Sequence, residues 1–181
     1  LVDTAGKLSQ NRRGALIVVD LGSDLRPEDF LYSGTNIEAQ LSTDLLINLF
    51  ATDTPLHDGA VLVKGNKIIS AGVILPLSRQ GISRYGTRHL AALGITERFD
   101  RCICIVVSEE TGTLSLANQG KLERPITSSR LQELLAKLIG NQNSMGANKA
   151  SLTKNVSFQK TDSSDNIISD INKKESEKSE I

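Results

Sequence analysis

Tryptophan is absent from these 181 residues, tyrosine occurs twice, and aromatic side chains make up only 3% of the chain. A stacking platform for single-stranded nucleic acid is therefore not expected. Charge of one sign is missing too, because 21 Lys and Arg balance 21 Asp and Glu. Such a chain has no global field to draw it to DNA or an acidic membrane, and no nucleic-acid partner is expected. No run approaches the roughly 18 apolar residues of a membrane span. The only cysteines, Cys102 and Cys104, lie two apart in a strand-like run. Same-face neighbours on one strand stand about 7 Å apart, too far for an easy disulfide. Nor is their spacing that of a zinc knuckle. They read as small buried apolar side chains of a cytoplasmic protein.

What is present is periodic enough for one domain with a real core. Leu1, Ala5 and Leu8 recur with helical spacing, and Ala15 to Val19 is an apolar run of strand length. Ser42 is placed to cap a helix whose Leu45, Leu46, Leu49 and Phe50 share a face. Ala60 to Val63 and Lys67 to Ile74 flank Gly65-Asn66, a hairpin signal. Thr87 is the expected cap of a helix running to Glu97, and Gly94 within it suggests a close backbone contact. Arg101 to Val107 and Thr113 to Leu116 are further strands, with a turn at Asn118-Gln119-Gly120. Ser129 and Gln132 fit a capping box for a last helix, expected to stop at Gly140.

From Asn141 onward the chain holds eight Ser, six Asn and no Arg. Such a segment has too little apolar surface to offset its ordering entropy. Residues 1–139 are thus expected to form an α/β domain, a mixed central sheet flanked by helices on both faces. Residues 140–181 are expected to form a polar disordered tail, with a transient helix around Ile167, Ile168 and Ile171.

The two histidines sit in the two most informative stretches, Thr54-Pro55-Leu56-His57-Asp58-Gly59-Ala60 and Tyr85-Gly86-Thr87-Arg88-His89-Leu90. In the first, His57 and Asp58 can hold a divalent metal or orient a hydroxyl, and Gly59 and Ala60 leave room for a phosphate or ribose. In the second, a helix N-terminus, the Thr87 hydroxyl and the planar fork of Arg88 all favour phosphate. A third stretch, Ser108-Glu109-Glu110-Thr111-Gly112, follows a strand and adds donors for phosphate in Ser108 and Thr111. Its Glu110 can join His57 and Asp58 around a hard cation. Each stretch taken alone also has a plain explanation: a turn, a capped helix, a solvated acidic turn.

Taken in order, these stretches, with Leu75-Pro76-Leu77-Ser78 and Ala91-Ala92-Leu93-Gly94-Ile95 between them, resemble the diadenylate cyclase domain from about Leu1 to Leu138. The pattern is most similar to the membrane-tethered type. The resemblance implies condensation of two ATP into cyclic di-AMP with release of two pyrophosphates, across a face-to-face homodimer. It implies that Asp58, Gly59 and Ala60 lie beside the ribose and the reacting 3′-hydroxyl. Thr87, Arg88 and His89 would hold the triphosphate, and Ser108 and Glu110 would sit at phosphate and metal positions. His57 becomes a second metal ligand, Leu75 meets adenine through its backbone, and Ile74 stands where some members carry an aromatic. Mg²⁺, Mn²⁺ and Co²⁺ all suit such a donor set. Leu90 departs from the family, whose third motif residue is usually Arg. The resemblance, with a start at Leu1 inside a helical pattern, leads to the expectation of a longer protein held at the cytoplasmic face of a membrane by segments before Leu1. The rival expectations are a nucleotide-binding module without turnover and a docking domain acting through its tail.

Overall fold

Gly65 and Asn66 close a hairpin whose arms, β3 (Ala60–Lys64) and β4 (Lys67–Val73), pair antiparallel with Lys64 opposite Lys67. In the computed structural model this hairpin belongs to a seven-stranded mixed sheet; the structure describes residues 1–80 and 83–153, from 141 onward as backbone alone. The other elements are α1 (Val2–Gln10), β1 (Ala15–Asp20), β2 (Thr35–Gln40), α2 (Thr43–Leu49), α3 (Thr87–Arg98), β5 (Cys102–Val107), β6 (Leu114–Asn118), β7 (Lys121–Ile126) and α4 (Ser128–Thr153). The strand order is β2-β4-β3-β1-β5-β6-β7, and only β1 and β3 run parallel.

Because strand side chains alternate between faces, the central strands feed two cores. Ile17, Val19, Ile103 and Ile105 pack under α1, α2 and α4 with Leu8, Leu46, Phe50, Leu131 and Leu135. Leu16, Val18, Cys102, Cys104 and Val106 pack on the other face under Ala91, Ala92 and Ile95 of α3. Helices therefore cover both faces of a mixed sheet, as the periodicity predicts. Both cysteines are buried and free, and burial pushes the Cys104 thiol up, so it behaves as an apolar filler.

Several local expectations change. Strands β2 and β7 have little apolar alternation, which is why the pattern does not predict them. As edge strands they bury little, and the sheet edge tolerates Pro125 in β7 and the irregularity between Asn36 and Ala39 in β2. Gly86, not Thr87, is the N-cap of α3, and no side chain caps that end. Thr127 caps α4 through Oγ1, accepting from Arg130 N at 3.1 Å, two residues before the expected Ser129. Ser42 caps α2 as expected, accepting from Leu45 N at 3.2 Å.

The last helix does not stop at Gly140 but continues to Thr153. A glycine costs a helix only about 1 kcal/mol, and Gly140 is not among the positive-φ glycines that would turn the chain out. Leu1–Gln142 forms one compact unit. The tail expectation beyond Thr153, including Ile167, Ile168 and Ile171, lies outside the described residues. No helix among the described residues is long and apolar enough to cross a membrane.

Candidate active site

Parallel pairing of β1 with β3 and antiparallel pairing of β1 with β5 bring three chain segments to one end of the sheet. The register sets Ala15 opposite Val107 and Ile17 opposite Val61. The His57-Asp58-Gly59 turn entering β3 and the Ser108-Glu109-Glu110 loop leaving β5 therefore open on the same side. The N-terminus of α3 opens there too, its first N–H groups free of any side-chain cap. Such an end favours anions.

Two cavities meet at this end. One, of about 440 Å³, is lined by Leu16, Val73, Ile74, Leu75, Leu77 and Ala91, with His57, Asp58 and Gly59 on its wall. The other, of about 650 Å³, is polar, lined by Arg84, Gly86, Thr87, Arg88, His89, Ser108, Glu109, Glu110, Thr111 and Arg124. Thr87, Arg88 and Glu109 belong to both. Across that junction Arg88 Nη1 donates to Glu109 Oε2 at 2.8 Å. An apolar chamber thus continues into a cationic one past an ion pair.

Local geometry explains how the first wall is held. Gly59 has φ +146°, and a Cβ there would lie 2.6 Å from the Gly72 carbonyl carbon and 2.8 Å from its Cα. Only glycine fits that approach, so the turn packs directly on β4 and presents Asp58 exposed beside the apolar chamber. The glycine thus serves packing on Gly72 as well as lining the chamber. His57 Nδ1 hydrogen-bonds the Thr54 carbonyl. A carbonyl only accepts, so Nδ1 carries a proton and donates, and in the neutral imidazole Nε2 is the nitrogen with the lone pair.

The second wall is similarly braced. Ser108 Oγ accepts from Thr111 N at 3.3 Å, and Thr111 Oγ1 donates to Thr113 Oγ1 at 2.8 Å. His89 is buried, with Nε2 3.3 Å from Ser115 Oγ. Burial first, then the positive charge of Arg124, lowers its pKa from the ordinary 6.5, so near neutrality it is an uncharged polar group. Gly94 lets α3 press against the Pro76 carbonyl, the close backbone contact that its position in the helix suggests.

Of the residues singled out from sequence, His57, Asp58, Gly59, Ile74, Leu75, Thr87 and Arg88 line the apolar chamber. Thr87, Arg88, His89, Ser108, Glu110 and Thr111 line the polar one. Ala60 lines neither; it is fully buried at the start of β3. Leu90 also lines neither, being 7% exposed, with its carbonyl accepting from Ser78 N at 2.9 Å. Among the described residues no three His, Cys, Asp or Glu side chains gather as a metal site, so His57, Asp58 and Glu110 do not converge within one chain. Arg84, Glu109 and Arg124 are wall residues that motif reading passed over. Glu109 adjoined a chosen residue, but Arg124 lies on an edge strand whose pattern carried no signal.

Comparison with known proteins shows the family of this chain. Residues 2–122 match the family described as DAC, DisA bacterial checkpoint controller nucleotide-binding. The chain is 47% identical over 132 residues to a diadenylate cyclase of Listeria monocytogenes, covering 72% of this chain and 47% of that protein. It is 43% identical over 130 residues to the cyclic di-AMP synthase CdaA of Bacillus subtilis, covering 71% and 46% respectively. The chain thus spans about half the length of these curated relatives. Among solved structures, DacA from Staphylococcus aureus superposes with a TM-score of 0.69 at 38% identity, over 76% of this chain and 91% of that one. A structure titled as a hypothetical membrane spanning protein from Bacillus cereus gives 0.63 at 42% identity, over 69% and 61%.

Proposed function

Because the chain belongs to the DAC family of nucleotide-binding domains, we propose that it is a diadenylate cyclase, joining two ATP into cyclic di-AMP and releasing two pyrophosphates. The observation that carries this reading is the pair of adjoining cavities, one apolar and one cationic, sharing Thr87, Arg88 and Glu109. A nucleoside triphosphate has the same two halves.

In this reading Leu16, Ile74, Leu75 and Leu77 form the wall against adenine. Asp58 and His57 lie toward the sugar, where Asp58 takes the proton of the 3′-hydroxyl. That oxygen bonds to the α-phosphorus of a facing ATP, and the bond to pyrophosphate breaks with its electron pair going to the leaving oxygen. Thr87, Arg88, Ser108 and Thr111 hold the phosphates, and the open end of α3 adds N–H donors. Preorganised donors of this kind usually supply the largest share of such catalysis.

Nucleotidyl transfer of this kind generally depends on a divalent metal. The available donors here are imidazole nitrogen and carboxylate oxygen, which suit Mg²⁺, Mn²⁺ and Co²⁺. His57 and Asp58, or Glu110, would hold the ion, with substrate phosphate oxygens completing a ligand set that one chain does not close. When bound, it would supply charge neutralisation at the phosphates and a more acidic hydroxyl.

Among the described residues one double cavity of this kind takes one ATP, whereas the product joins two adenylates. The reaction therefore takes two copies face to face about a two-fold axis. The similar Bacillus cereus protein is described as a hypothetical membrane spanning protein, and attachment to a membrane through segments outside these 181 residues belongs to the same reading.

The test is incubation with ATP and a divalent ion, with product identified by mass. Cyclic di-AMP should form, and turnover per protein molecule should fall on dilution at saturating ATP. ATP binding without product would leave a nucleotide-binding module. Constant turnover from monomers would overturn the face-to-face arrangement.

A further inference from the structure

Three guanidinium groups and two carboxylates line the polar cavity: Arg84, Arg88 and Arg124 against Glu109 and Glu110. Arg88 is already committed to Glu109 at 2.8 Å. Without Arg124 the wall would carry no net charge to meet a triphosphate. Arg124 projects from β7, a strand hydrogen-bonded to β6, and its guanidinium carbon lies 5.6 Å from the centre of the Tyr85 ring. Among the described residues it makes no ion pair, whereas Glu123 beside it is taken by Arg130 at 2.8 Å. Its charge also disfavours a proton on His89, another lining residue.

Position gives this charge a specific task. Arg88 and Thr87 border both cavities, but Arg124 borders only the polar one. A nucleotide with its base in the apolar chamber would pass its α-phosphate by the junction and carry its outer phosphates beyond. Resting on the function proposed above, we infer that Arg124 binds the β- and γ-phosphates, the half of ATP that departs as pyrophosphate. There it would stabilise the charge that builds up as the bond to the α-phosphorus breaks. The Tyr85 ring, 5.6 Å from the guanidinium carbon, offers it a cation–π contact that steadies it.

The test is a ladder of 3′-deoxyadenosine mono-, di- and triphosphate, which lack the attacking hydroxyl, titrated into the full chain by calorimetry. The intact protein should bind more tightly as phosphates are added. Arg124→Gln should weaken triphosphate binding by at least about tenfold while changing monophosphate binding by less than about twofold, since a hydrogen bond to a charged group is worth that much. Arg124→Lys should recover part of the loss, and the melting temperature of both variants should stay close to that of the parent. A ladder as steep in Arg124→Gln as in the parent overturns the assignment while leaving the cyclase reading intact. Equal loss at every rung also overturns it, by showing a structural role. A parent chain that binds none of the three nucleotides overturns both.

Discussion

Gly14 and Arg88 border the same small volume: a Cβ on Gly14 would lie 2.7 Å from Arg88 Nη1, 2.9 Å from its Cζ and 3.0 Å from Glu109 Cβ. The first residue before β1 thus sets how deeply the ion pair between the two cavities can sit. Gly14→Ala is expected to displace Arg88 rather than unfold the protein, because a guanidinium at the end of a flexible chain can move. ATP affinity or turnover should fall severalfold with a shift of only a few degrees in melting temperature. A variant with unchanged affinity and turnover would show that Arg88 works from the displaced position.

Asp58 is exposed, and among the described residues no side-chain hydrogen bond or ion pair ties it to the fold. Asp58→Asn should therefore leave stability within about 0.5 kcal/mol of the parent and abolish cyclic di-AMP formation. Thermal melting and product assays on the same sample check this. Loss of fold together with activity would count against a chemical role.

Leu90 stands where the related family usually has Arg, and from sequence alone an Arg there would be expected to strengthen phosphate binding. The structure leads to the opposite prediction, since Leu90 is 7% exposed and lines neither cavity. An Arg in its place would have to bury its charge or push out the strand-to-helix connection that holds Ser78. Leu90→Arg should destabilise by about 1–3 kcal/mol, the usual cost of overpacking, with no gain in ATP affinity. Denaturant melts and nucleotide titration measure both, and tighter ATP binding without a stability cost would restore the motif argument.

His89 ties stability to pH. Its folded-state pKa lies below the ordinary 6.5, mainly through burial. The unfolded chain therefore binds more protons in the window between that lowered value and 6.5. This contribution is fully present above 6.5 and is lost as pH falls through the window. The unfolding free energy should decline there, and His89→Gln should flatten the decline. An NMR titration placing the His89 pKa at or above 6.5 would refute the assignment.

Much of this architecture is local. Ser42 capping α2, the Gly65-Asn66 hairpin and the apolar runs at Ala15 to Val19 and Cys102 to Val107 each follow from short-range rules of capping, turn geometry and alternation. The edge strands β2 and β7 escaped those rules because a strand that buries little needs little apolar pattern. The continuation of α4 past Gly140 escaped them because a glycine weakens a helix without ending it.

The same division holds at the site. Residue type alone established which groups can meet phosphate, a hydroxyl or a cation, because the chemistry of His57, Asp58, Arg88, Ser108 and Glu110 belongs to the side chains themselves. Which of them share a wall was settled only by strand direction: β1 parallel to β3 and antiparallel to β5 brings residues about fifty positions apart to one end of the sheet. The tertiary structure also brought Arg124 in from an edge strand, set Gly14 against Arg88, turned Leu90 away into the packing and left His57, Asp58 and Glu110 without a shared metal site within one chain. None of these is a property of any short window of sequence, because each depends on contacts between segments that only the register of the sheet brings together.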